Sequence, residues 1–305
     1  MYIYLPIAEI SVNIFLILSL GGITGVLSGM FGVGGGFLMT PLLMFIGIPP
    51  AVAVSSSANQ IIAASFSGFL AHLRRANVDV KIGIVTIIGG LVGSSIGVWL
   101  FALLKEIGQI DLAISLCYVI FLGSIGTLMA MESIKLIILK RRGDVLAARK
   151  KDNWILKLPL PFVMKFPRSG IKVSVLLPIL IGVFTGILVS LLGIGGGFIT
   201  IPAMIYVLGM PTSVVIGTSL FQIVFITANV TILQAINTHT VDVTLAFLML
   251  ISSVIGAQFG TRIGIKIPAE QLRAMLALMV LAVVLKLAIG LLITPDNPFS
   301  INMIE

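Results

Sequence analysis

The stretch GMFGVGGGFLMTP, residues 29–41, has a composition that a helix inside a membrane rarely has. It places five glycines among thirteen residues, lies within an apolar run and ends in a proline. Each interior glycine costs a helix about 0.8–1 kcal/mol relative to alanine, so this segment gives up helical stability. We therefore expect the helix to be interrupted here.

The composition of the whole chain indicates a membrane setting. The chain has 305 residues, of which 58% are hydrophobic and 10% charged, and its mean hydropathy is +1.20. These values lie far outside the range of soluble domains. We predict an all-α polytopic membrane protein. Eight apolar runs approach or exceed the roughly 20 residues that a spanning helix needs: 11–31, 50–72, 82–104, 107–139, 173–192, 211–236, 243–264 and 270–293. Two shorter runs, 36–48 and 197–209, follow glycine clusters and are predicted to be half-helices.

Motifs for catalysis are missing from the sequence. One cysteine, Cys117, lies in an apolar run, which excludes an internal disulfide and a CxxC metal or redox site. The chain contains no GxSG, GxxxxGK[ST] or HExxH motif and no paired aspartates within its apolar runs. We therefore predict no enzyme, no metal site and no cofactor.

A basic segment separates two membrane regions. Residues 140–172 contain ten Lys and Arg against two Asp, a net charge of +8 that equals the net charge of the chain. Basic loops between spans are typical of the cytoplasmic side, where they contact anionic lipid. We predict a first membrane repeat at 1–139, a cytoplasmic linker at 140–172 and a second membrane repeat at 173–305. No nucleic-acid partner is expected.

The opening stretch occurs twice. Residues 21–41 align without gaps to residues 182–202, with ten identities in 21 positions. With one residue of slip, SSSANQ at 55–60 then aligns with GTSLFQ at 217–222. The chain is therefore predicted to be a duplicated unit.

Loop charges predict that the two copies are inverted. Residues 74–81 contain three basic residues, whereas their counterpart, 236–242, contains none. One loop later the bias reverses, because 104–109 has one lysine and 262–273 has three basic residues. If basic loops are cytoplasmic, each copy has an odd number of crossings, which gives two inverted repeats of about five segments with both termini outside. The alternative treats the short runs as re-entrant, with eight spans and parallel repeats.

The glycine clusters are the predicted substrate site. Substrates of transporters with inverted repeats bind where broken helices meet, and half-helix N-termini carry partial positive charge that suits an anion. Serine and glutamine three residues apart share one helix face and can donate hydrogen bonds. The predicted substrate-binding residues are Gly32, Gly34, Gly35, Gly36, Ser57, Gln60, Gly193, Gly195, Gly196, Gly197, Ser219 and Gln222.

Two other features have structural interpretations. Glycines spaced by four residues are predicted to allow close helix packing instead of binding: Gly21, Gly25, Gly29, Gly89, Gly93 and Gly97. Lys286, inside the last span, is either functional or extends to the membrane surface.

The twin motifs GVGGGFLMTP and GIGGGFITIP, with SSSANQ, GTSLFQ and the basic linker, resemble the TauE/SafE family of sulfite and organosulfonate exporters, also called the toluenesulfonate uptake permease family. The resemblance covers roughly residues 11–292. It implies a plasma-membrane permease for a small sulfur-containing or organic anion, and we expect it to work by alternating access. A passive anion channel and a non-transporting structural subunit are the alternatives.

The topology can be tested by cysteine labelling in a Cys117→Ser background. We expect Asn237→Cys to react with an impermeant thiol reagent added outside, and Ala76→Cys to be protected, because the loop around Ala76 is basic and that around Asn237 is not. Protection of Asn237→Cys together with reaction of Ala76→Cys would contradict inverted repeats.

Overall fold

The computed structural model describes residues 2–31, 33–141, 162–264, 267 and 269–292. The first half contains β1 (Tyr2–Leu5), β2 (Ile10–Asn13), α1 (Ile14–Phe31), α2 (Gly36–Phe45), α3 (Pro50–Arg74), α4 (Val80–Glu106), α5 (Ile110–Cys117), a π-helical turn (Tyr118–Leu122) and α6 (Gly123–Arg141). The second half contains β3 (Val163–Phe166), β4 (Ile171–Ser174), α7 (Leu176–Leu192), α8 (Gly197–Tyr206), α9 (Thr212–Asn237), α10 (Val243–Gly264) and α11 (Ala269–Leu292).

Several helices have the length and hydropathy of membrane spans. In the described part of the chain, six helical segments are long and apolar enough to cross a membrane: Ile14–Phe31, Val80–Glu106, Ile110–Lys135, Thr212–Asn237, Val243–Gly264 and Ala274–Leu292. The predicted all-α polytopic membrane protein is thereby confirmed. Two other predicted spans do not meet these criteria. The serines and Gln60 in the first half of α3 lower its hydropathy, and α7 is too short, with 17 residues.

Each half begins with a short antiparallel hairpin that the sequence patterns did not predict. Tyr2 pairs with Asn13 in the first hairpin, and Val163 pairs with Ser174 in the second. The predicted spans 11–31 and 173–192 therefore begin as helices only at Ile14 and Leu176. The second hairpin begins within the predicted linker and ends two residues beyond it, at Ser174. Residues 142–161 of that linker lie outside the described residues.

Small residues join the halves through two close, parallel helix pairs. In the first pair, α1 and α10, Gly25 packs on the backbone of Ser253 and Gly29 on that of Ala257. In the second pair, α4 and α7, Gly93 packs on the backbone of Val183. A Cβ at any of the six glycines predicted to pack would come within 3.0 Å of the neighbouring helix. Their packing role is therefore confirmed.

The equivalent helices α3 and α9 run antiparallel against each other. Gly68 of α3 lies against Leu220, and His72, one turn later, lies against Gly217, which precedes Leu220. Equivalent helices of inverted repeats have this antiparallel relation. The orientation of the halves in a membrane remains a prediction.

A buried aspartate of the first half holds the hairpin of the second half. Oδ2 of Asp79 accepts hydrogen bonds from the backbone N–H and the hydroxyl of Ser169, at 3.0 and 2.6 Å. Oδ1 accepts from the Ile82 N–H, which caps the start of α4, and the Asp79 N–H donates to the hydroxyl of Thr218. We call this arrangement the Asp79 clasp.

The mirror arrangement is the Asp242 clasp, in which the second half holds the hairpin of the first. Oδ2 of Asp242 accepts from the Ile7 N–H at 3.1 Å, and Oδ1 caps α10 by accepting from the Leu245 N–H. The Asp242 N–H donates to the hydroxyl of Ser56 at 3.0 Å. Both aspartates are 1% exposed. Each half therefore fixes the start of the other.

We expect Asp79→Ala and Asp242→Ala each to lower the free energy of unfolding by about 2–4 kcal/mol, because a helix cap and charge-assisted hydrogen bonds are lost. The effect of Asp79→Ala should be the larger, because that carboxylate accepts one bond more. Denaturant unfolding in detergent measures both values, with exposed Glu106→Gln as the control. Wild-type stability in the two alanine variants would show that the clasps do not hold the hairpins.

Candidate functional site at the paired helix breaks

Both predicted helix interruptions are present in the structure. In the first half, α1 ends at Phe31 and α2 begins at Gly36; in the second, α7 ends at Leu192 and α8 begins at Gly197. The residues before the half-helices, Gly35 and Gly196, have φ angles of 75° and 74°. Residues other than glycine rarely adopt this left-handed backbone conformation, which explains why the breaks contain glycine. The half-helices have ten residues each.

The two glycine loops contact each other directly. A Cβ on Gly36 would overlap the carbonyl oxygen of Gly193, and a Cβ on Gly197 would lie 2.6 Å from the carbonyl oxygen of Val33. Ile61 of α3 covers the same contact, because its side chain lies 3.1 Å from a Cβ built on Gly34 and 2.8 Å from one built on Gly195. Glycine at these positions lets backbone approach backbone. Gly32 lies outside the described residues.

An aromatic pair continues the contact into the half-helices. Phe37 and Phe198, the second residues of α2 and α8, stack with ring centroids 5.6 Å apart and an interplanar angle of 16°. Both side chains are fully buried in the central core. The N-termini of two half-helices are therefore held side by side.

The two predicted serines both donate to the carbonyl oxygen one turn earlier in their own helices, and Ser57 also reaches the other half. Ser57 Oγ is 2.8 Å from Thr40 Oγ1 and 3.4 Å from the carbonyl oxygen of Gly193, so it reaches across to the loop of the other half. Ser219 donates to the carbonyl oxygen of Ile216, one turn earlier in its own helix. The structure thus brings Ser57 and the glycines together.

The predicted glutamines are both fully buried, and neither has a full set of hydrogen bonds. Gln60 donates from Nε2 to Thr24 Oγ1 at 2.7 Å, and its Oε1 has no partner among the described residues. For Gln222, both Oε1 and Nε2 are buried without a partner in the same part of the chain. An unsatisfied buried polar group costs about 1–3 kcal/mol. The amide of Gln222 is therefore available to a ligand.

Tyr118 satisfies the end of the second broken helix. Its hydroxyl donates to the carbonyl oxygen of Leu192, the last residue of α7, at 2.6 Å. The side chain is fully buried and begins the π-helical turn between α5 and α6. Such turns occur frequently at functional sites. Sequence patterns did not single out Tyr118, since its partner is 74 residues away.

Lys286 lies away from this centre. Its ammonium group is 4.0 Å from the ring centroid of Phe45, the last residue of α2. A cation over an aromatic face is stabilised without a carboxylate. The lysine therefore packs on the far end of the half-helix.

The site presents helix ends and uncharged side chains. The first N–H groups of a helix have no acceptor within that helix and carry partial positive charge, so a helix N-terminus is suited to an anion. Two such ends converge here, and the helices that cover them, α3 and α9, each have a buried glutamine with a free hydrogen-bonding atom one residue before an isoleucine that packs on Gly34. Paired broken helices within an apolar helical bundle are typical of membrane transporters.

A family model described as "Sulfite exporter TauE/SafE" matches residues 17–287. The chain belongs to this family of membrane transporters. No solved structure gives a significant match to the chain.

Relatives of similar length come from bacteria and an archaeon. The probable membrane transporter protein YjnA of Bacillus subtilis (strain 168) is 29% identical over 271 residues, which are 89% of this chain and 98% of that protein. YunE of the same organism, also named a probable membrane transporter protein, is 27% identical over 290 residues, or 92% and 97% of the two chains. MJ0441 of Methanocaldococcus jannaschii, of the same description, is 30% identical over 277 residues, or 86% and 90%.

We expect Gly36→Ala and Gly197→Ala to lower the free energy of unfolding by about 1–3 kcal/mol, because each added methyl group overpacks the contact between the loops. Gly22→Ala is the matched control: it lies in α1 with nothing within 4 Å of a built Cβ, so the higher helix propensity of alanine should raise stability slightly. Thermal unfolding in detergent compares the three. Equal stability of Gly36→Ala, Gly197→Ala and wild type would show that the loops do not touch.

Proposed function

We propose that this chain is a secondary transporter that moves a small organic or sulfur-containing anion, such as sulfite or a sulfonate, across the plasma membrane by alternating access. The observation that carries the proposal is the meeting of two half-helix N-termini at the paired glycine loops. The buried, unpaired amide of Gln222 belongs to α9, whose next residue, Ile223, lies 3.6 Å from a Cβ built on Gly34. Family membership supports transport, and the chemistry of helix N-termini supports an anion.

Helix directions support ten segments in two inverted repeats. Both α1 and α3 run parallel to α10: α1 packs along it through Gly25 and Gly29, and α3 begins beside it, where Ser56 meets Asp242. The two helices end beside each other as well, since Ala71 and Thr261 line one cavity. Two parallel helices in sequence require a returning segment, and α2 is that segment. The short runs are therefore proposed to be crossings.

An anion site without charged side chains is compatible with export driven by the membrane potential. An inside-negative potential of about 100 mV favours the exit of one negative charge by about 2.3 kcal/mol. Export of a monovalent anion therefore needs no cation. We propose the cytoplasmic side for the linker, residues 140–172, with anionic lipid as its contact.

A carrier agrees with the contacts better than a passive channel does. The backbone contacts between Gly36 and Gly193 and between Gly197 and Val33 block passage at the centre. Opening the site requires these loops to separate, which is a conformational step in each transport cycle. We propose no enzymatic activity and no cofactor for this chain.

Counterflow in proteoliposomes tests the function. We expect internal sulfite, a sulfonate or a small carboxylate to accelerate uptake of the labelled anion in a saturable manner, because a carrier exchanges substrate across the bilayer. Flux that rises linearly with concentration, without stimulation from the opposite side, would indicate a channel.

Gln222→Leu tests the site within the same assay. We expect it to raise the KM for the transported anion about 10–150-fold, the loss of a hydrogen bond to a charged group, while thermal stability is unchanged or higher. Thr231→Val is the control, because the Thr231 hydroxyl on the same helix is also buried without a partner in the described chain; it should leave KM unchanged. If the Gln222→Leu variant is stable and its KM equals that of wild type, the amide of Gln222 does not bind the transported anion.

A further inference from the structure

We infer that three arginines form an anion-binding vestibule at one end of the protein, which loads the central site from that end; this inference rests on the proposed transport function. The vestibule is an open cavity of about 330 Å³ between the C-terminal ends of α3 and α10. Arg74, Arg75 and Arg262 line it together with the polar side chains of Ser67, Gln258 and Thr261.

Among the side chains that the structure describes, no carboxylate lines the vestibule. The lining residues include no aspartate or glutamate, and among the described residues no acidic partner of the three guanidinium groups is found. Three cations around one cavity repel each other, and the arrangement gains stability when an anion occupies it. A guanidinium donates two parallel hydrogen bonds to an oxyanion. The ligand class is therefore a small oxyanion.

A second cavity adjoins the vestibule on the side of the first helix break. This cavity, of about 260 Å³, shares Arg75 and Thr261 with the vestibule. It reaches Gly29 and Met30, in the last turn of α1. The second cavity therefore lies between the arginines and the end of the helix that precedes the glycine loop, where we propose that the released anion passes.

The opposite end of the protein has no equivalent arginines. Under the repeat alignment that pairs Gln60 with Gln222, Arg74 and Arg75 correspond to Ile236 and Asn237. The alignment that pairs Gly93 with Gly256 places Trp99 opposite Arg262. Because the two ends are otherwise built from the same elements, the arginines make anion capture asymmetric.

Basic residues at this end also have a topological explanation, since cytoplasmic loops carry lysine and arginine. The two roles differ in chemistry. Orientation in the membrane depends on charge, which lysine retains. Binding of an oxyanion through two parallel hydrogen bonds depends on the planar guanidinium group, which lysine lacks.

The test replaces all three residues with lysine, as Arg74→Lys/Arg75→Lys/Arg262→Lys, and uses sulfite as the probe. In neutral phosphatidylcholine vesicles we expect KM from the arginine end to rise about tenfold, with KM from the opposite end unchanged. Lys81→Gln, an exposed charge at the same end outside the vestibule, should leave both values unchanged. An unchanged KM in the triple variant would overturn the proposal. A rise confined to vesicles with anionic lipid would also overturn it, because a lipid headgroup would then be the bound oxyanion.

Calorimetric binding of sulfite in detergent separates this inference from the transport function. Binding to wild type that the triple lysine variant weakens about tenfold supports the vestibule, even if wild type shows no counterflow and the transport proposal fails. The opposite result is counterflow in wild type, together with sulfite binding and KM values in the triple variant that equal those of wild type. That result would support the transport function and contradict the vestibule.

Discussion

The backbone polar groups at two interrupted helices must be satisfied inside an apolar bundle, and the rest of the structure depends on how this is done. In a bilayer, each unsatisfied backbone group costs several kcal/mol, so a break is tolerated only where protein or an aqueous cavity surrounds it. Here the two breaks cover each other: the loop at Gly36 lies on that at Gly193. Tyr118 supplies a donor to the last carbonyl group of α7. Each central loop is therefore covered by residues of the other half.

The two clasps extend this mutual dependence to the ends of the protein. Asp79 of the first half holds the hairpin of the second, and Asp242 of the second half holds the hairpin of the first. In both connections Oδ2 accepts from a backbone N–H of the hairpin and Oδ1 caps a helix, and Asp79 also accepts from the Ser169 hydroxyl. The clasps and the parallel pairs α1–α10 and α4–α7 each join one half to the other, so in the proposed transport cycle they restrict movement of one half against the other. The close glycine contacts in those pairs favour each pair moving as a unit.

Local patterns in the sequence predicted the helix breaks and the packing glycines, because each depends on residues close together in the chain. The hairpins were not predicted, since residues 2–13 are too apolar to distinguish from the start of a span. The clasps could not be predicted either, because Asp242 and Ile7 are 235 residues apart in the chain.

The two glutamines show that equivalent residues of the two halves do not make the same contacts. In the first half the hydroxyl of Thr24 accepts from Gln60, whereas in the second half the equivalent Thr185 lies 3.4 Å from the hydroxyl of Thr200. The residue equivalent to Thr200 is Met39. The Thr24 hydroxyl also lies 3.7 Å from the sulfur of Met39, so this threonine contacts the equivalent residue in both halves, but among the described residues only Thr24 has a glutamine partner.

A structure determined by cryo-electron microscopy with sulfite or a transported sulfonate bound tests the central claim most directly. The account predicts anion density within hydrogen-bond distance of backbone N–H groups at the start of α2 or α8, beside Gln222, with the two glycine loops moved apart. Density confined to other parts of the protein, with the loops in their present contact, would contradict it.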